Sequence, residues 1–226
     1  MTNTLHRFGS AESFRDDYIV FAIASKGKND AGALEKLRTF LRMAVPFRPV
    51  NLGDARNGGS LRPCREMTPT SHWKRDMTPD FDAVINGLSA VTTVAAVFDN
   101  LTAAEDFVRE VKKADLGVSI NISTSIEGAE NCCHSAGIPR HSVGYSLGFE
   151  GKTERLPNAD VLMLSTMCGH GMIAHSLAKK MIDWVKEGRR SPEEAVTYLQ
   201  RFCSCGVFNP SRAKRILESV REGVTP

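Results

Sequence analysis

The stretch Tyr18-Ile-Val-Phe-Ala-Ile-Ala-Ser25 decides how the first half of the chain is read. It is a nearly continuous β-prone run, and such a run without polar alternation predicts a strand buried on both faces. Lys26 to Asp30 follows as a turn, with Asp30 placed to cap a helix. From Ala31 to Ala44, Leu34, Leu37, Phe40 and Leu41 recur at helical spacing until Pro46 ends the pattern. Phe47 to Leu52 then reads as a short strand that Pro49 confines to an edge or an extended loop. Upstream, residues 1 to 16 are polar and read as a mobile or loosely docked arm.

The same order returns further along. Thr78-Pro79 caps a short helix carrying Phe81, Val84, Ile85 and Leu88 on one face. Val91 to Phe98 is a second strong strand. Thr102 and Glu105 have capping-box spacing for a helix that turns Phe107, Val108 and Val111 inward, and Gly117 to Ile122 alternates as a strand with one wet face. Two strand, helix, strand units of similar length, Tyr18 to Leu52 and Val91 to Ile126, predict an α+β fold. Its sheet would consist of duplicated ferredoxin-like β-α-β halves with helices on one face.

The remaining residues are expected to add two strands, Ser142 to Phe149 and Val161 to Met167, and a C-terminal helical cap. In the cap, Met172 to Lys186 sets Ile173, Leu177, Met181, Trp184 and Val185 inward, Ser191 and Glu194 form a capping box, and Asn209-Pro210 opens a last helix lined by Ala213, Ile216, Leu217 and Val220. The organisation is thus an arm (1–16), an α/β sheet region (17–126) and a cysteine-bearing region (127–226) continuous with it.

At 226 residues and 42% hydrophobic, the chain can bury one sizeable core. A net charge of +3 is too mild to imply nucleic acid, and Lys186, Arg189 and Arg190 read as a solvated helix end. Met1 to Ser13 lacks the apolar core of a signal peptide, and no run approaches the roughly 18 apolar residues of a membrane span. These features predict a cytoplasmic protein with a small-molecule substrate, without membrane or nucleic-acid partners, and free to form a homo-oligomer.

Thiols in a reducing compartment serve as core residues, metal ligands or nucleophiles rather than as a disulfide framework. Five of the six cysteines fall into three groups: Cys132-Cys133-His134, Cys168-Gly-His170 and Cys203-Ser-Cys205. Each lies beside a glycine or a chain reversal, where thiols can converge outside regular elements. The grouping predicts a soft-ligand centre with Cys132, Cys133, Cys168, Cys203 and Cys205 as metal ligands, an iron–sulfur cluster being preferred and zinc the alternative. Tandem cysteines, a single one and a close pair, with Cys133, Cys168 and Cys203 35 residues apart in each interval, resemble the cysteine pattern of the heterodisulfide-reductase cluster domains. That resemblance covers the cysteines alone and carries over neither fold nor function.

Three chemistries follow from these groups. A 4Fe–4S cluster held by three thiolates leaves one iron as Lewis acid, with His170 or His134 handling the proton, for a lyase or desulfurising reaction. Zinc held by Cys168, by Cys203 or Cys205, and by a histidine would suit a hydrolase, with Glu127 or Glu130 as general base. Without metal, Cys168 facing a helix N-terminus beside His170 is a candidate nucleophile. Arg140, and Arg62 in the loop from Gly53 to Met77, are candidate substrate-binding cations; Arg56, Arg65, His72 and Trp73 surround the latter. A non-catalytic carrier of metal or cluster, or a ligand-binding module, is the remaining reading.

Overall fold

The structure is a computed structural model that describes residues 5–56, 58–59, 80–140, 142–145, 148–203 and 205–223. It is a mixed α+β fold around an antiparallel sheet. The strands are β1 (Tyr18–Ile23), β2 (Asn51–Asp54), the two-residue β3 (Gly58–Gly59), β4 (Val94–Phe98) and β5 (Ser119–Ser123), in the order β3-β2-β4-β1-β5. Every paired neighbour runs antiparallel, with Val20 opposite Ala96 on one side and Ile122 on the other.

All six residues of β1 are buried, because helices cover both faces of the sheet. Side chains alternate across a strand, so Tyr18, Val20 and Ala22 point to one layer and Ile19, Phe21 and Ile23 to the other. The first layer holds α1 (Ala33–Ala44), α2 (Phe81–Gly87), α3 (Leu101–Ala114) and α4 (Ile126–Ser135), packed through Leu37, Phe40, Phe107 and Val111. The second holds α5 (Ala159–Ser165), α6 (His175–Lys186), α7 (Pro192–Gln200) and α8 (Pro210–Glu222), packed through Leu164, Met181, Leu199 and Ile216. The sheet is therefore the middle of three layers, and the expected cap is a full second helical face.

One of the two expected C-terminal strands is a helix. Val161 to Met167 lies in α5 and the 3-10 turn that follows it, with Asn158 capping the helix through the Val161 N–H. Its five consecutive buried residues, Val161 to Ser165, belong to a helix enclosed on all sides, and an unbroken apolar run carries no period to separate that from a strand. Among the described residues no strand follows Ser123; of the expected strand from Ser142 to Phe149, Ser146 and Leu147 lie outside them. Asn100, not Thr102, caps α3, while Ser191 and Glu194 do form the capping box of α7. No helix among the described residues is long and apolar enough to cross a membrane.

The expected loose arm is tied down from Leu5 onward. Asp17, fully buried, is paired with Arg7 and Arg212, both also buried, and Asn209 Nδ2 donates to its other oxygen at 3.1 Å. Arg212 also lies 4.0 Å over the Phe14 ring and donates to Phe8 O and Ser13 Oγ. Burial alone would raise the Asp17 carboxyl, but the two guanidiniums and the hydrogen bonds from Arg7 and Asn209 outweigh it and hold the group below the usual carboxylate range. Burial draws Arg212 down to about 10, against the pull of Asp17. Arg212 is still cationic at neutral pH, and Asp17 is the anion that makes the burial of the two arginines tolerable.

Candidate functional site

The second helical layer brings two of the three cysteine groups together. Cys168 ends the 3-10 turn after α5, and Gly169 and Gly171, at φ +71° and +68°, carry the reversal on which His170 sits. Cys203 and Cys205 belong to the joint between α7 and α8. Cys205 Sγ lies 3.3 Å from His170 Nδ1 and 3.9 Å from the Cys168 carbonyl oxygen, across 35 and 37 residues of sequence. The three cysteines are buried, with 0%, 3% and 7% of Cys168, Cys203 and Cys205 exposed, whereas His170 is exposed. A solvent-facing imidazole therefore covers a buried set of thiols.

Backbone N–H groups are aimed at two of these sulfurs. Met172 N donates to Cys168 Sγ at 3.2 Å and Phe208 N to Cys203 Sγ at 3.3 Å. The Cys203 thiol is held below its ordinary range by the hydrogen bond from Cys205, which exceeds the opposing effect of burial, and by the N–H groups of Cys205, Val207 and Phe208. The same contact, with burial, pushes the Cys205 thiol up. Cys203 thus ionises first and Cys205 keeps its proton. The expected placement of Cys168 against a helix N-terminus does not occur, because α6 begins only at His175.

Strand β2 positions the second joint. Asn51 Nδ2 donates to Phe208 O at 3.0 Å, and a Cβ on Gly53 would come within 2.5 Å of Gly206 Cα and 2.6 Å of Cys205 O. Only glycine lets the cysteine-bearing turn lie on the strand this closely. Gly53→Ala is expected to cost about 1–3 kcal/mol, since backbone and not a side-chain tip must move. Urea unfolding measures it, and a change below a few tenths would show that the turn is not seated on β2. On the other side of the site, Leu5 packs against Gly169 and His6 N bonds Gly169 O at 3.1 Å, so the N-terminal segment clasps the reversal.

The third group lies elsewhere. Cys132, Cys133 and His134 are on α4, which packs on the opposite face of the sheet. Adjacent helical residues point about 100° apart, so Cys132 is buried in the apolar core while Cys133 is half-buried and His134 exposed. Burial pushes the Cys132 thiol up to about 12, with Glu105 and Cys133 adding to the effect. Glu130 and Arg140 face each other at 3.8 Å on this exposed surface, and Glu127 is exposed in the first turn of α4. A cavity of about 130 Å³, lined by Val108, Val111, Leu116, Val118, Ile120 and Ile138 among others, also belongs to this layer. Arg62 and most of the Gly53 to Met77 loop lie outside the described residues.

Among the described residues, no three or more His, Cys, Asp or Glu side chains are so arranged that they could hold a metal ion as they stand. The contacts at the thiol site are pairwise, Cys203 with Cys205 and Cys205 with His170. The sequence grouped these four residues as candidates but gave no notice of the Arg7, Asp17 and Arg212 cluster in the same layer. The place of Arg212 on the inner stripe of α8, with Ile216 and Val220 at a spacing of four, is the signal that could have found it. No family model, curated protein or solved structure matches the chain.

Proposed function

We propose that Cys168, Cys203, Cys205 and His170 form a soft-metal centre of an enzyme acting on a small polar substrate. The observation that carries this reading is that Cys205 from one joint lies against the His170 imidazole and the Cys168 carbonyl of a distant one, with backbone N–H groups donating to the Cys168 and Cys203 sulfurs. Such donors stabilise thiolate, the form that binds metal. Around one tetrahedral zinc, with Zn–S near 2.3 Å and Zn–N near 2.0 Å, neighbouring ligand atoms are about 3.5 Å apart. The 3.3 Å between Cys205 Sγ and His170 Nδ1 is close to that. A four-iron cluster would hold its cysteine sulfurs too far apart to hydrogen-bond one another, as Cys203 and Cys205 do. The spacing therefore favours zinc over the iron–sulfur centre expected from the cysteine grouping, and the ligand set comes from one chain, without help from a second copy.

His170 is the exposed and replaceable member of the set, and the substrate would take its position. The reading requires a reducing compartment such as the cytoplasm, and the five described cysteines are all free thiols. The lack of a preassembled three-ligand group favours, as a second reading, a carrier whose site closes only when loaded. The sheet order we read as two ferredoxin-like halves, β1-α1-β2 and β4-α3-β5.

The test is the metal content and colour of full-length protein purified without oxygen. One zinc per chain and no colour is expected. Brown protein with iron and sulfide would replace zinc by a cluster, and metal-free protein that takes up neither would overturn the centre. Rapid loss of the zinc to a weak chelator would mark a carrier.

A further inference from the structure

The free edge of the sheet is matched to a second copy of itself. Strands β1, β2 and β4 are buried throughout, whereas every residue of β5 is half-buried, and among the described residues no strand lies beyond it. Its sequence, Ser119-Ile-Asn-Ile-Ser123, has no charged residue and no proline, the residues that commonly keep an exposed edge from pairing. It also reads the same in both directions about Asn121. We propose that two copies of the chain pair antiparallel through β5, about a two-fold axis at Asn121, and so join their sheets into one. This interface goes beyond the metal-centre reading and does not depend on it.

The hydrogen-bonding phase of the strand permits that axis. Val50 N bonds Val97 O at 2.7 Å and Ala55 N bonds Thr93 O at 2.9 Å, so the polar groups of Val97 and Thr93 are turned toward β2. Backbone groups alternate sides along a strand. Those of Ala96 therefore face Val20, and those of Phe21 face Asn121, its antiparallel partner. Ile120 and Ile122 are left with N–H and C=O turned outward. In the proposed register Ile120 lies opposite the partner's Ile122, and the two exchange both bonds.

The side chains match as well. Ile120 and Ile122 share the face of Ala22 and Val20, and Ile120 and Val118 line the cavity of about 130 Å³. The register sets isoleucine against isoleucine beside that cavity, and Val118 against the partner's Thr124, a β-branched residue of nearly the same shape. On the other face Ser119 meets the partner's Ser123. Asn121 meets its own copy in a non-hydrogen-bonded pair, where Cα atoms are about 4.5 Å apart and the two amides can bond each other. A strand facing its own copy brings like charges together wherever it carries any, and this one carries none. An isologous contact of this kind closes at two copies and leaves neither β5 edge open.

Sedimentation of the full chain measures the assembly, and a dimer is expected. Asn121→Lys and Asn121→Glu each set like charges across the axis at a half-buried position, and each should raise the dimer dissociation constant about tenfold. An equimolar mixture of the two should recover the dimer, a result that misfolding of either variant cannot give. Mild oxidation reads the register: in Asn121→Cys the two Cα atoms fall in disulfide range, whereas in Ser119→Cys they lie about 14 Å apart. Crosslinking above that of the wild type is expected in the first alone. A wild type that is monomeric at micromolar concentration leaves the edge to a strand from another source and overturns the proposal. Charge variants that stay dimeric, a mixture that does not recover the dimer, or crosslinking at Asn121 no stronger than at Ser119 overturn it equally.

Discussion

Asp17→Asn is expected to destabilise the protein by about 3–5 kcal/mol, the range for removing one partner of a buried ion pair. Asparagine keeps the shape of the side chain but not its charge, and it leaves Arg7 and Arg212, with side chains 3% and 0% exposed, without a counter-ion. Asp16→Asn is the control. Asp16 meets Arg215 where both side chains are about one-fifth exposed, and its loss is expected to cost about 1 kcal/mol or less. Urea denaturation of the three proteins decides, and equal midpoints for Asp17→Asn and Asp16→Asn would remove the buried cluster from the stability argument. The pH dependence has a definite sign. Asp17 is depressed in the folded state, so its contribution is complete above about 3.9, the value in an unfolded chain, and is lost as pH falls through the lower folded value. The wild type should lose this stability only in that acid window, and Asp17→Asn should lack the corresponding slope.

The second large effect is expected at the thiols. Loss of a residue that merely orients a metal ligand weakens binding about 10–100-fold, so Cys203→Ser, which removes a ligand of the proposed centre, is expected to exceed 100-fold. Cys132→Ser and Cys133→Ser lie across the sheet and should leave metal affinity within about twofold. Competition against a chromophoric chelator measures all three. Equal losses in the α4 variants would mean that the tandem cysteines reach the centre after all, and no loss in Cys203→Ser would dismiss it.

The central strand was legible because burial on both faces removes polar alternation, and Tyr18 to Ile23 shows that in one run. The same property hid α5, since a short helix enclosed on all sides also has no polar face to set its period. Asn158 and Asp160 carried the correction, as a cap and a first-turn acid, but a local cap weighs little against seven consecutive strand-compatible residues. In the site, Cys168, His170, Cys203 and Cys205 were readable because each sits at a joint. Cys132 and Cys133 look alike in sequence, yet Ser125 caps a helix through the Gly128 N–H and turns the pair into one core residue and one surface residue. Which face of the sheet each joint reaches is set by packing between distant segments, and nothing within a local window reports that.

Arg212 reaches Asp17 across 195 residues, which bears on how the protein is made. A ribosome adding about 5–20 residues per second needs on the order of 10–40 s to travel that far. Throughout that interval the carboxylate at the start of β1 has only Arg7 to face it and must stay hydrated. Nascent chains arrested before residue 212 should therefore be cut readily by protease through β1, and those arrested well beyond it should resist, so that the last helix times the closure of the first strand.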